Sequence, residues 1–142
     1  MGANPLQDCK FVNCVPPGVI KDNGSFTPVT FNTMGYRYAT FVFLLGAIDA
    51  NMAALKVQES DTDGSYADIT GAAPATLPVS GSTNGIVCGF IDLEKRKKWL
   101  NVIATAGNGD AGTYLAGLCI LSNALISPSD ITGRNLNAQF II

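Results

Sequence analysis

Gly107, Gly109 and Gly112 form a G-x-G-x-x-G array directly after an apolar run that closes at Ala106. In a dinucleotide fold that spacing makes the phosphate-binding turn, with the anion resting on the amino end of a helix. Here Thr113-Tyr114-Leu115-Ala116-Gly117-Leu118-Cys119-Ile120 follows and is β-like, so the glycines read as a hairpin loop. Glu59, Asp61, Asp63 and Gly64 set oxygen ligands at alternate positions, as a calcium loop does. Aligned on Gly64, Glu59 takes the place of the leading Asp and Thr70 that of the bidentate Glu, which leaves a solvated turn. Lys95-Arg96-Lys97-Lys98 gathers four of the nine positive charges. Such a cluster raises the local potential enough to hold an acidic protein patch or nucleic acid. It is equally a polar turn ahead of a strand opened by Trp99. Asn23-Gly24-Ser25 matches a glycosylation triplet, but it also matches a tight turn, and no secretory signal accompanies it.

Nucleophilic catalysis has little to work with. The chain has no histidine, which removes the usual base of hydroxyl triads, the commonest zinc ligand and the usual pH switch. No Ser-x-x-Lys occurs, and the carboxylates fall in turns. Four cysteines, Cys9, Cys14, Cys88 and Cys119, lack the paired spacing of a zinc site and read as small buried hydrophobes, although a Cys9–Cys14 bridge is conceivable in an oxidising compartment. The expectation is therefore a protein that is not an enzyme and uses no metal or cofactor.

Composition points the same way. Of 142 residues, 47% are apolar and 14% charged, enough apolar surface to offset ordering entropy and form one folded domain. The net charge of −2 argues against a nucleic-acid partner, which needs many cation–phosphate contacts. The longest apolar run, Phe41 to Ile48, is far short of the roughly 20 residues of a membrane helix and reads as a buried element. Met1 to Leu6 lacks a basic start with an apolar run behind it, and Leu6 stands where myristoylation requires Ser or Thr. The product is expected to stay in the compartment where it is made. Low charge with 15 Gly and 7 Pro hints that a partner covers part of the surface.

The elements that must carry these residues are strands. Cys9–Val15 is a short β-like run, and Val19–Val29 folds about Lys21-Asp22-Asn23-Gly24-Ser25 as a hairpin. In Tyr36–Phe43, Tyr36, Tyr38, Thr40 and Val42 share one face, with Arg37, Ala39, Phe41 and Phe43 on the other. Ala54–Ser60 turns Leu55 and Val57 inward and Lys56 and Gln58 outward. Tyr66–Ile69, Ile86–Leu93, Trp99–Thr105 and Tyr114–Leu121 complete the set, Gly71–Gly85 is a loop, and the best helical candidate is one turn at Asn51–Ala54. Asp68-Ile69-Thr70-Gly71 recurs as Asp130-Ile131-Thr132-Gly133, which shared turn chemistry explains as well as a repeat does. About eight short strands make the fold class all-β, an antiparallel β-sandwich of jelly-roll type. A polar arm over residues 1–8 precedes a single sandwich domain over residues 9–142.

The chain ends are informative. Ala138-Gln139-Phe140-Ile141-Ile142 carries three large apolar residues whose exposure costs about 25 cal/mol per Å². The segment is expected to add as a strand to its own sheet or to a neighbouring subunit.

The stretch Leu55-Lys56-Val57-Gln58-Glu59-Ser60-Asp61-Thr62-Asp63-Gly64-Ser65-Tyr66-Ala67-Asp68-Ile69-Thr70-Gly71-Ala72, with Thr40–Asp49 before it, resembles a hairpin of small structural proteins of tailed bacteriophages. The resemblance spans Tyr36 to Ala72 and implies a capsid decoration, or cement, protein. It implies a jelly-roll sandwich, commonly trimeric, made in the bacterial host cytoplasm and seated on the virion's capsid surface, where it binds the major capsid protein. On that reading Asn4, Pro5, Leu6, Gln7 and Asp8 with Lys95, Arg96, Lys97 and Lys98 touch the capsid. Phe140, Ile141 and Ile142 then knit protomers together. The rival expectation is a receptor- or carbohydrate-binding sandwich of a tail or fibre, with Tyr36, Tyr38, Tyr66 and Trp99 as an aromatic platform. A tail-tube or connector component is a third.

Overall fold

Alternate residues along Tyr36–Ile48 disappear from solvent, with Ala39, Phe41, Phe43 and Leu45 buried and their neighbours at least partly accessible. Such a period of two belongs to a strand lying on a core. The computed structural model describes residues 4–142. Among these the chain forms eight strands: β1 (Lys10–Val15), β2 (Phe31–Asn32), β3 (Tyr36–Ile48), β4 (Ala54–Ser60), β5 (Ala67–Asp68), β6 (Ile86–Asp92), β7 (Trp99–Thr105) and β8 (Thr113–Ala124).

Two antiparallel four-stranded sheets result, sheet A in the order β1-β8-β3-β6 and sheet B in the order β2-β7-β4-β5. Partners run first with last: β1 with β8, β2 with β7, β3 with β6, β4 with β5. That is one long hairpin rolled into a sandwich, the jelly-roll topology. Consecutive strands therefore lie in different sheets except for β4–β5, so six of the seven connections cross the sandwich.

The core is the space between the sheets. Sheet A lines it with Val12, Cys14, Phe41, Phe43, Leu115, Cys119 and Leu121, and sheet B with Phe31, Leu55, Val57, Leu100, Val102 and Ala104. Phe41 is the hinge of this packing: its ring stands 6.0 Å from Phe43 in a stacked arrangement and 6.2 Å from Phe31 of the opposite sheet. Gly117 leaves room for its stacking partner Phe43, because a Cβ there would sit 3.0 Å from the Phe43 ring.

Rolling explains where local expectations fail. Val19–Val29 is a strap rather than a hairpin: Lys21 bridges to Thr113 of sheet A and Ser25 to Thr105 of sheet B. Asn23 does take the left-handed conformation that the turn needs (φ 46°), but its flanks pair with different strands. Gly107–Gly112 is not a hairpin loop either, since β7 and β8 lie in different sheets. Asn51–Ala54 is not helical; Ala54 opens β4, and the helical turn described is a 3-10 turn at Pro5–Asp8. Of the cysteines, Cys9, Cys14 and Cys119 are buried and Cys88 is exposed, because Cys88 falls on the outward parity of β6. All four are free thiols. Burial pushes the Cys14 thiol up to about 12.

Phe41 gives the packing its test. Phe41→Ala should lower unfolding free energy by about 3–5 kcal/mol, read as a lower midpoint in chemical denaturation. A loss well under 1 kcal/mol would mean that the two sheets do not meet on this ring.

Candidate interaction surface

The motifs singled out by residue type are brought together in pairs that satisfy one another. The acidic turn after β4 lies beside the basic turn before β7. Arg96 Nη1 stands 3.5 Å from Glu59 Oε1, Lys97 Nζ stands 3.3 Å from Asp61 Oδ2, and the Lys97 backbone N–H donates to Glu59 at 3.0 Å. Asp63 accepts from the Tyr66 hydroxyl at 2.6 Å. The oxygen atoms that resembled a calcium loop are thus engaged by cations and a phenol of the same chain, and no metal-holding group of His, Cys, Asp or Glu forms among the described residues. Lys95 and Lys98 remain exposed, Lys95 in the left-handed conformation (φ 64°).

The glycine array is filled in the same way. Gly109 N–H donates to Asp22 at 2.7 Å, Asp110 N–H to Asp49 at 2.7 Å, and Ala111 N–H to the same Asp49 oxygen. All three glycines serve close approach: an added Cβ would stand 2.0 Å from Asn51 O at Gly107, 2.4 Å from the Asp49 carboxylate at Gly109 and 2.5 Å from Lys21 O at Gly112. Backbone N–H groups that could cradle a phosphate hold the chain's own carboxylates instead. Those of Ala111 and Gly112 hold the Asp49 carboxyl below its ordinary value of 3.8.

Residues Asn4, Pro5, Leu6, Gln7 and Asp8 are tied down. Asn4 and Gln7 cap the 3-10 turn reciprocally, and buried Arg134 donates from Nε to the Gln7 carbonyl and from Nη1 to Gln139 Oε1 at 3.1 Å. Beyond that anchor Phe140, Ile141 and Ile142 belong to no strand of their own sheets and stay exposed. The four aromatics of the rival platform are divided: Tyr36 and Tyr38 lie on β3 in sheet A, Trp99 opens β7 in sheet B, and Tyr66 precedes β5.

What residue-type reasoning missed is the outer face of sheet A. Three strands meet there in register: Leu44 between Ile86 and Ala116, Val42 between Cys88 and Leu118, Thr40 between Phe90 and Ile120. None of these nine side chains is charged, and Phe90 and Ile86 are 79% and 66% exposed. The outer face of sheet B differs, with Lys56 Nζ donating to Asp68 at 2.7 Å, Gln58 bonded to the same carboxylate, and Asn101 beside Gln58. A signal for this existed. Only β4 shows a clean apolar–polar alternation, while Thr40 to Leu45, Ile86 to Phe90 and Leu115 to Leu121 are apolar on both parities, the pattern of a sheet covered on both sides. Over the five residues Thr40–Leu44, three strands at about 4.8 Å spacing give roughly 240 Å² of sheet. That approaches the roughly 300–600 Å² of the largest, often functional, patch on a monomer.

Comparison with protein-family models, with curated proteins and with solved structures finds no match to this chain.

Asp49 supplies a pH test. Its folded carboxyl titrates below that of the unfolded chain, so the stabilisation is complete above the ordinary value of 3.8 and is lost as the pH falls through the lower folded value. Asp49→Asn should lower the melting temperature at neutral pH, and the gap to the parent protein should close in strong acid. A gap independent of pH would show that the charge on Asp49 is not what the loop holds.

Proposed function

We propose that this protein is a structural virion component that binds the outside of an assembled bacteriophage capsid and stabilises it by bridging major capsid subunits. The observation that carries this reading is the uncharged, uncovered centre of the outer face of sheet A, Thr40–Leu44 with the residues of β6 and β8 beside it. A rigid sandwich with one apolar face outward is suited to seating on another protein surface. The β4–β5 hairpin that resembles phage structural proteins agrees with it: Lys56, Gln58 and Asp68 brace the hairpin, and Asp63 with Tyr66 closes its turn.

Magnitude favours a lattice partner over a single soluble one. A patch of roughly 240 Å² is less than a third of the roughly 800 Å² per partner of a standard stable interface. One copy therefore binds weakly, and retention comes from many copies or linked protomers on a repeating shell. Copies that bind the assembled shell better than free subunits stabilise the shell by mass action. The basic turn at Lys95–Lys98, partly neutralised by Glu59 and Asp61, contributes less than the face.

Cosedimentation with expanded capsids tests the reading. Phe90→Asp, at an exposed site that leaves the core intact, should abolish occupancy and lower the rupture temperature of the particle. Arg96→Ala with Lys97→Ala should leave most occupancy in place. Retention of Phe90→Asp on the shell with loss of the basic-turn variant would overturn the assignment of the face.

A further inference from the structure

Two uncovered features lie at opposite edges of sheet A. At one edge, β1 is closed off by the turn after Asp130: Phe11 N–H donates to the Arg134 carbonyl at 2.9 Å, and Asn135 Nδ2 donates to Phe11 O at 2.8 Å. Phe140–Ile142 leaves from this side, past the Arg134–Gln139 anchor, and Phe140 is 88% exposed. At the other edge, β6 pairs with β3 along one side, and among the described residues no strand pairs with the other.

Beneath that open edge runs a slot of about 200 Å³ between the two sheets. Phe41, Leu55, Val57, Val87 and Ile91 line it, with Pro74 on the flap that covers it. It is an apolar hole beside an unpaired strand, the arrangement by which a sheet edge accepts an extended peptide and pockets one of its side chains.

The geometry points to a second copy of this chain as the occupant: residues Phe140–Ile142 of one protomer add to the β6 edge of the next, with Phe140 in the slot. Chemistry matches on both sides: no side chain of Phe140–Ile142 or Ile86–Ile91 is charged, and Lys56, the one charged residue lining the slot, has its ammonium on Asp68 at 2.7 Å. A protomer cannot serve itself in this way, because three inter-strand spacings of about 4.8 Å separate β1 from β6. Donor and acceptor at opposite edges make the contact head-to-tail, which gives a closed ring when the rotation between protomers closes and an open filament when it does not; a closed ring is the form proposed. With Phe140 inward, Ile141 faces outward on the same side as Cys88, by the period of two. The contact involves copies of this chain alone and does not depend on a shell.

Native mass spectrometry and light scattering on the purified full chain, without capsids, test this. A ring is expected for the parent protein, and Phe140→Asp and deletion of residues 140–142 should each yield monomers with an unchanged far-ultraviolet circular dichroism spectrum and a melting temperature that no longer rises with protein concentration. In the Ile141→Cys variant, mild oxidation should link chains through Cys88, and adding Cys88→Ala should remove that link. A monomeric parent chain, a ring indifferent to both tail variants, or the absence of the Cys88 link would overturn the exchange. Capsid binding that survives in monomeric variants would leave the proposed function standing.

Discussion

Sheet A is apolar on both faces, and the rest of the molecule answers only one of them. Phe41, Phe43, Leu115 and Cys119 point inward and meet sheet B, so that face is the core. Val42, Leu44, Leu118 and Phe90 point outward, and nothing among the described residues covers them. Burial of apolar area is the dominant favourable term in folding and in most protein association. A sheet that spends it on one side and leaves it available on the other is shaped for a partner. Sheet B shows that the fold does not demand this, since its outer face carries the Lys56–Asp68–Gln58 network.

Polar chemistry, by contrast, is consumed internally. The acidic turn meets the basic turn, and the glycine loop wraps Asp22 and Asp49. These contacts are exposed, so each is worth little in isolation. Their structural effect is to pin the crossing loops that a rolled hairpin needs at its ends. Arg134 does the same for the chain's ends, holding the Gln7 carbonyl and the Gln139 side chain from one guanidinium. Arginine suits the task because its planar fork can reach two acceptors at fixed angles.

In the proposed function and the proposed ring, assembly and attachment fall to different parts of one sheet. Its outer face offers a flat apolar contact too small to hold a partner tightly alone, and its open β6 edge offers backbone groups with an apolar slot beneath. Linking protomers through the edge would multiply the face, which is how weak contacts on a repeating surface become retention. Unpaired edges are an aggregation hazard unless they are covered, and a neighbouring chain is one way to cover them.

Much of the architecture was legible in consecutive residues. The alternation in Ala54–Ser60 set β4 to the residue, Trp99–Thr105 set β7, and the number and spacing of short strands pointed to a jelly-roll sandwich. Turn chemistry was equally local: Asn23 takes the left-handed conformation its Asn-Gly pair announces. Pairing was not legible, because in a rolled hairpin the partner of a strand lies far along the chain, as β1 and β8 do. Hence Gly107–Gly112 looked like a hairpin loop and crosses between sheets instead. The basic and acidic runs looked like separate candidate sites, yet Arg96 and Lys97 pair with Glu59 and Asp61. Side-chain period and turn type are properties of neighbouring residues and survive in the sequence; which surfaces end up facing each other, and which face is left open, depends on the path of the whole chain and exists only once it has folded.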